Sequence, residues 1–236
     1  MKYNNGDEYN GDWKNDLREG KGKMIYNDIF EKDILLINQK INYLKNQEKD
    51  ERDEIKNEKE EIILNEEIYD GDWKNNLREG KGIMKYNNGD IYKGEWINDK
   101  IEGKGIMKYN NGDIYEGEWI KDIREGKGKM KYNNGDFYNG DWINNKKEGK
   151  GIMKYNNSDI YNGEWINDKK EGKGIMKYNN SNIYNGEWYE DKREGYGEIK
   201  YKNGKYYKGY WTNDNIDNNL NDDNYEIDLK KLMTTK

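Results

Sequence analysis

The sequence predicts an all-β repeat: a single-layer antiparallel meander of about eight β-hairpin repeats, forming a twisted elongated ribbon with a helical insertion. Three observations predict it. All eight tryptophans of the 236-residue chain lie in a Tyr-x-Gly-x-Trp frame. Seven of these frames, beginning at Tyr69, Tyr92, Tyr115, Tyr138, Tyr161, Tyr184 and Tyr207, recur every 23 residues, with an outlying copy at Tyr9. A fixed period of that length marks a repeat architecture. Within each period two alternating runs are joined by Asn-, Asp- and Gly-rich turns, the signature of hairpins.

Composition alone points elsewhere. Charged residues make up 38% of the chain, valine is absent and mean hydropathy is −1.48, a profile usual for disorder. The 22 tyrosines and 8 tryptophans resolve the conflict. Each aromatic can bury ~150–250 Å², so periodic aromatics supply what the scarce aliphatics cannot.

Residues 1–26 read as a partial and a first repeat. Lys2 to Asp7 match the tail of a preceding copy, and Met1 running straight into repeat sequence leaves no room for a signal peptide. Residues 27–66 form a charged insertion that carries most of the net charge of −6. Ile34, Ile37, Ile41 and Leu44 fall at three-four spacing, which predicts amphipathic helix over about residues 30–64. Trp13 is set apart by this insertion and is expected to contribute less than the other tryptophans.

Residues 67–211 form the main array. In the copy at 92–114, Tyr92, Gly94 and Trp96 share one face of the first strand, and Gly103, Gly105, Met107 and Tyr109 share one face of the second. Matching these faces predicts a two-residue turn at Asn98-Asp99 that pairs Gly94 with Gly103 and Trp96 with Ile101. Between repeats it predicts a three-residue loop with Gly112 left-handed and Met107 opposite Tyr115. Ser158 and Ser181 replace that glycine in two copies and should be strained. The residue five after Trp is usually basic (Arg18, Arg78, Arg124, Lys147, Lys170, Arg193), placing a cation across from the indole. Residues 212–236 read as a polar tail. Its Tyr225, Leu229 and Leu232 suggest a short helix, and residues 206–211 are left as an edge strand open to pairing.

The Tyr-x-Gly-x-Trp frame, followed by a Gly-x-Gly pair from Gly20/Gly22 to Gly195/Gly197, resembles the MORN (membrane occupation and recognition nexus) repeat over residues 9–26 and 69–211. One departure is systematic. The family usually has Gly three after the Trp, where this chain has Asn or Asp in each copy. The resemblance implies a non-catalytic scaffold that presents an aromatic groove to protein partners, at membrane- or cytoskeleton-associated structures. The groove residues would be Tyr92, Trp96, Tyr115, Trp119, Tyr138, Trp142, Tyr161, Trp165, Tyr184 and Trp188. It also implies two alternatives: a phospholipid-binding module, or a regulatory fragment of a phosphatidylinositol phosphate kinase-like or methyltransferase-like enzyme.

Several chemistries are disfavoured. Cysteine and histidine are absent, which removes thiolate and imidazole ligands and the usual nucleophile–base pairs. The Asn-Gly-Asp turns lack the ligand ladder of a calcium loop, and Gly-Lys-Gly lacks Walker spacing. The expectation is therefore no enzyme, no cofactor, no metal and no nucleic acid. A protein partner or self-association through the groove or edge strand is expected, with at most a weak phospholipid contact. No apolar run approaches ~20 residues, so the expected location is cytoplasmic, peripheral to membrane or cytoskeleton. Lysines and glutamates on the non-aromatic face are expected to pair across strands.

Overall fold

The computed structural model describes residues 1–27 and 66–217, which form sixteen β-strands and no helix. They are β1 (Glu8–Lys14), β2 (Leu17–Tyr26), β3 (Glu67–Lys74), β4 (Leu77–Lys85), β5 (Ile91–Ile97), β6 (Lys100–Lys108), β7 (Ile114–Ile120), β8 (Ile123–Lys131), β9 (Phe137–Ile143), β10 (Lys146–Lys154), β11 (Ile160–Ile166), β12 (Lys169–Lys177), β13 (Ile183–Tyr189), β14 (Lys192–Lys200), β15 (Tyr206–Thr212) and β16 (Asn215–Ile216). Two compact units divide the chain, Met1–Gly112 and Asp113–Lys236. In each, strands pair antiparallel in chain order, giving an open meander of hairpins. The expected helical insertion at 27–66 lies, apart from Asn27 and Glu66, outside the described residues. So does the expected tail helix around Tyr225. Pairing also runs past residue 211, because β16 adds Trp211↔Ile216 and Thr212↔Asn215.

The two kinds of loop follow from the turn residues. Asn98 and Asp99 have φ of 48° and 65°, the doubly left-handed geometry of a two-residue hairpin. The same holds for each Asx-containing turn from Asn15-Asp16 to Asn213-Asp214. Between repeats, Gly89 sits at φ 87° and donates its N–H to Tyr86 O at 3.0 Å, while Tyr86 N–H reaches Asp90 O at 2.9 Å. This closes a three-residue loop that puts Met84 opposite Tyr92, the pairing expected of equivalent positions. Ser158 and Ser181 are held at φ 73° and 71°, the left-handed strain expected of them.

The register within a repeat differs from expectation at one point. Trp96 faces Ile101, but Gly94 pairs with Gly105 and not with Gly103. Gly103 and Lys104 form a bulge, with Gly103 at φ 63°. The side chain at the Glu95 position stabilises such bulges. In the equivalent copies Asp72 Oδ2 accepts the Lys81 N–H at 2.9 Å and Asp141 Oδ2 accepts that of Lys150 at 3.0 Å.

The pairs Tyr26↔Glu67 and Met24↔Tyr69 join β2 and β3 as any neighbouring repeats are joined. The insertion therefore leaves and re-enters at one loop end without breaking the stacking. Trp73 Nε1 donates to Gly22 O at 2.9 Å across that junction. Trp13 is nevertheless 40% exposed. Among the described residues no basic side chain covers it as Arg18 covers Trp73, so its exposure does not come from the expected separation by the insertion.

Candidate functional site

In each unit, tyrosine, glycine and tryptophan build an aromatic floor on one face. The Tyr138 ring lies over the Gly140–Gly151 pair, where a Cβ at either glycine would overlap it. Its hydroxyl donates to Asp141 O at 3.1 Å. Edge-on contacts link it to Trp142 of its own repeat at 5.3 Å and to Trp165 of the next at 5.4 Å. Trp142 Nε1 in turn donates to Gly128 O at 3.2 Å. Tyr9, Tyr69, Tyr115, Tyr161 and Tyr184 likewise bridge two indoles, and edge-to-face pairs contribute about 0.5–1.5 kcal/mol beyond burial. Trp96 Nε1 departs from the pattern and has no hydrogen-bond partner among the described residues.

The ten residues expected to form a groove all belong to this floor. Tyr92, Tyr115, Tyr138, Tyr161 and Tyr184 are 0% exposed, and Trp96, Trp119, Trp142, Trp165 and Trp188 are 1–4% exposed. Each unit holds its members of the set as interior packing. What faces solvent above them is a different set of side chains.

Part of that set is basic. Lys147 Nζ stands 4.5 Å from the Trp165 ring centroid, and Arg124 Cζ stands 4.6 Å from that of Trp142. Lys147 pairs across the strand with Trp142, as expected, yet its charge rests on the indole one repeat further on. A second set of half-buried side chains is the tyrosines two residues after the repeat methionines, Tyr86, Tyr109, Tyr132, Tyr155 and Tyr178. Burial pushes the Tyr132 phenol up to about 12, with Asp168 raising it further and Arg124 opposing. Burial also lowers Lys147 and Lys170, against the pull of Asp168 and Asp191 respectively. Sequence reasoning missed the tyrosine ladder, although it repeats with the same period.

The invariant Asx three after Trp does more than tolerate its φ. Asp99 Oδ1 accepts the Arg78 N–H at 2.8 Å, and Asp99 N–H donates to Arg78 O at 3.1 Å. Asp168 does the same with Lys147, and Asp214 with Arg193. Glu79 Oε2 accepts the Asn98 N–H at 3.0 Å, a bond repeated from Glu148 to Asn167 and from Glu171 to Glu190. The acidic side chains therefore mainly cap backbone N–H groups between repeats. Cross-strand salt pairing, as expected, is also present, at Lys21–Asp72 and Lys127–Asp141.

The opposite face carries exposed isoleucines, including Ile97, Ile120, Ile143 and Ile166 at 47–52% exposure. Among the described residues no cluster of His, Cys, Asp or Glu could hold a metal ion, and no helix is long and apolar enough to cross a membrane.

The MORN-repeat family model matches residues 9–28, 69–91, 92–114, 115–137, 138–160, 161–183 and 184–206, more than half of the chain. The chain belongs to the MORN-repeat family. No curated protein matches it in sequence. Among solved structures it is similar to the TCP domain of SAS-4 (dCPAP) of Drosophila melanogaster in complex with a proline-rich motif of Ana2 (dSTIL). That match is 21% identical, covers 56% of this chain and 72% of that chain, and has a TM-score of 0.37. It is also similar to the wild-type TCP10 domain of Danio rerio CPAP, at 8% identity, 89% and 82% coverage and a TM-score of 0.43. For that domain in complex with a peptide of Danio rerio STIL the values are 9%, 62%, 75% and 0.33.

Proposed function

We propose that this MORN-repeat chain is a non-catalytic scaffold that binds an extended segment of a protein partner along its aromatic face. The observation that carries the reading is the lining of half-buried tyrosines and stacked cations in the second unit. Half-buried Tyr132 and Tyr178 lie within electrostatic reach of Arg124 and Arg193, and Arg124, Lys147, Lys170 and Arg193 stack on the indole floor. Half-buried phenols and desolvated cations are the groups that make strong contacts with peptides, since each has an apolar body and a polar tip. The ten buried aromatics hold the lining in place from beneath. The lysines and acidic caps of the other face form no dense basic cluster, so a lipid surface is the weaker reading.

The test is selection from a random peptide library against the chain, with the Tyr132→Ser/Tyr155→Ser/Tyr178→Ser variant as counter-target. Peptides that bind the native chain and weaken at least about tenfold on the variant, at an unchanged circular dichroism spectrum, support the proposal. Peptides that bind both equally, or a chain that selects none but sediments with anionic liposomes, overturn it.

A further inference from the structure

The cation five residues after the tryptophan is an arginine at Arg18, Arg78, Arg124 and Arg193 but a lysine at Lys147 and Lys170, in two successive repeats. The arginines close onto the next hairpin turn. Arg78 Nη2 donates to Asp99 O at 3.1 Å and its Nε to Asp99 Oδ1 at 3.0 Å. Arg124 makes the same two bonds to Asn145, at 2.8 and 3.3 Å, and Arg193 to Asp214, at 2.7 and 3.0 Å. Arg18 Nη2 reaches Asn76 O at 2.9 Å. Each guanidinium is thus tied to the protein's own turns.

Lysine cannot make that closure, because it ends in one nitrogen where arginine ends in a planar fork. Lys147 and Lys170 stack as the arginines do, with Nζ 4.5 Å from the Trp165 centroid and 4.6 Å from that of Trp188. Their backbone N–H groups still bond Asp168 Oδ1 and Asp191 Oδ1, each at 2.9 Å. Among the described residues, however, neither ammonium donates a hydrogen bond or closes an ion pair. Both side chains are half-buried, and burial lowers both despite the nearby carboxylates. Lys147 lowers Lys170 further, so the two charges lie within reach of one another. Asp191 acts on both lysines and on Tyr155, which sets the pair beside the tyrosine lining. A cation taken partly out of water with no ion pair carries a cost that an incoming anion offsets.

We propose that Lys147 and Lys170 are the specificity-determining residues of the peptide-binding face, and that together they hold an aspartate or glutamate side chain of the bound segment. The inference rests on the function proposed above and names the chemistry of its partner, an extended segment bearing a carboxylate. Stacking on the indoles holds each Nζ in place before binding, so little side-chain freedom is lost when the carboxylate arrives. Partial exclusion of water strengthens the charge-assisted bonds. Within the second unit Arg124 and Arg193 flank the pair but direct their donors to Asn145 and Asp214. The lysines therefore give the carboxylate one address on a repetitive surface, and fix the register in which the segment lies.

Peptides selected from the random library on the native full chain should be enriched in Asp or Glu. In isothermal titration, replacing that residue by Asn or Gln should weaken binding at least about tenfold, the loss of a hydrogen bond between charged groups. On the Lys147→Arg/Lys170→Arg protein the same replacement should change affinity by less than about threefold, because each new guanidinium turns onto Asp168 or Asp191 as Arg193 turns onto Asp214. That variant keeps the charge and the stacking, and an unchanged urea midpoint checks that it folds. Selected peptides that lack an acidic residue overturn the lysine assignment. So does an acidic residue that is dispensable on the native chain, or one that matters equally on both proteins. In each of those cases, loss of the peptides on the Tyr132→Ser/Tyr155→Ser/Tyr178→Ser variant leaves the aromatic-face function standing. A chain that selects no peptide overturns both.

Discussion

At Gly151, paired with Gly140, a single hydrogen stands where any side chain would enter the Tyr138 ring. Gly151→Ala should therefore cost at least about 1–3 kcal/mol, as overpacking of a rigid site does, read from a urea midpoint. Gly204 meets nothing within 4 Å of an added Cβ and is constrained only by its φ of 83°. Gly204→Ala should cost only the roughly 1–2 kcal/mol of a left-handed alanine. The tyrosines set a pH limit. Tyr69, Tyr138, Tyr161 and Tyr184 are held above their ordinary value of 10.0 chiefly by burial, so the folded chain keeps protons that the unfolded chain releases. Stability from these groups is complete below pH 10 and falls as pH rises past it. Lys147 and Lys170 act in the opposite sense, because burial lowers them and their penalty is relieved toward 10.5, but they are fewer. Urea midpoints should hold to about pH 10 and then drop together with the appearance of tyrosinate absorbance. A midpoint that is flat through that range would contradict the burial of these phenols.

The hairpin turn is also the inter-repeat joint, which explains why Asn or Asp stands where the family usually has Gly. Asp168→Gly should remove the acceptor for the Lys147 N–H. It should cost about 0.5–1 kcal/mol, the loss of an exposed inter-repeat hydrogen bond less the relief of a left-handed φ. Asp168→Asn should stay within about 0.5 kcal/mol, because Asn145 makes the same bond to Arg124 at 2.9 Å. Equal losses for both would mean that the carboxylate charge matters and the clamp does not. Much at this scale was legible in the sequence. Side-chain parity dictates Trp96↔Ile101 and the three-residue loops, because a one-residue slip would expose the aromatics. The bulge at Gly103-Lys104 was not legible, since glycine offers no side chain whose face must match. Nor was the shift of each cation to the next repeat's indole. That depends on the diagonal offset between neighbouring strands, which spacing along one chain does not encode.

Across the whole molecule, repetition both reveals and conceals. The 23-residue period identified the fold and the family, and it singled out the Tyr and Trp frames because they are its most conspicuous members. Those frames proved to be the interior. Tyr86, Tyr109, Tyr132, Tyr155 and Tyr178 recur as faithfully, but alternation assigns both sets to one face, and only packing decides which member of a face lies underneath. In a repeat chain each unit is stabilised mainly by its neighbours, so position in the array sets the cost of a mutation. Trp142 is 2% exposed, with tyrosine edges at 5.3 Å on both sides and Arg124 above. Trp13 has one tyrosine and is 40% exposed. Denaturant titration of Trp142→Ala beside Trp13→Ala tests the floor-and-lining account most directly. Trp142→Ala should lose about 3–5 kcal/mol, as buried aromatics do, and Trp13→Ala no more than about a third of that. Equal losses at the two positions would contradict it.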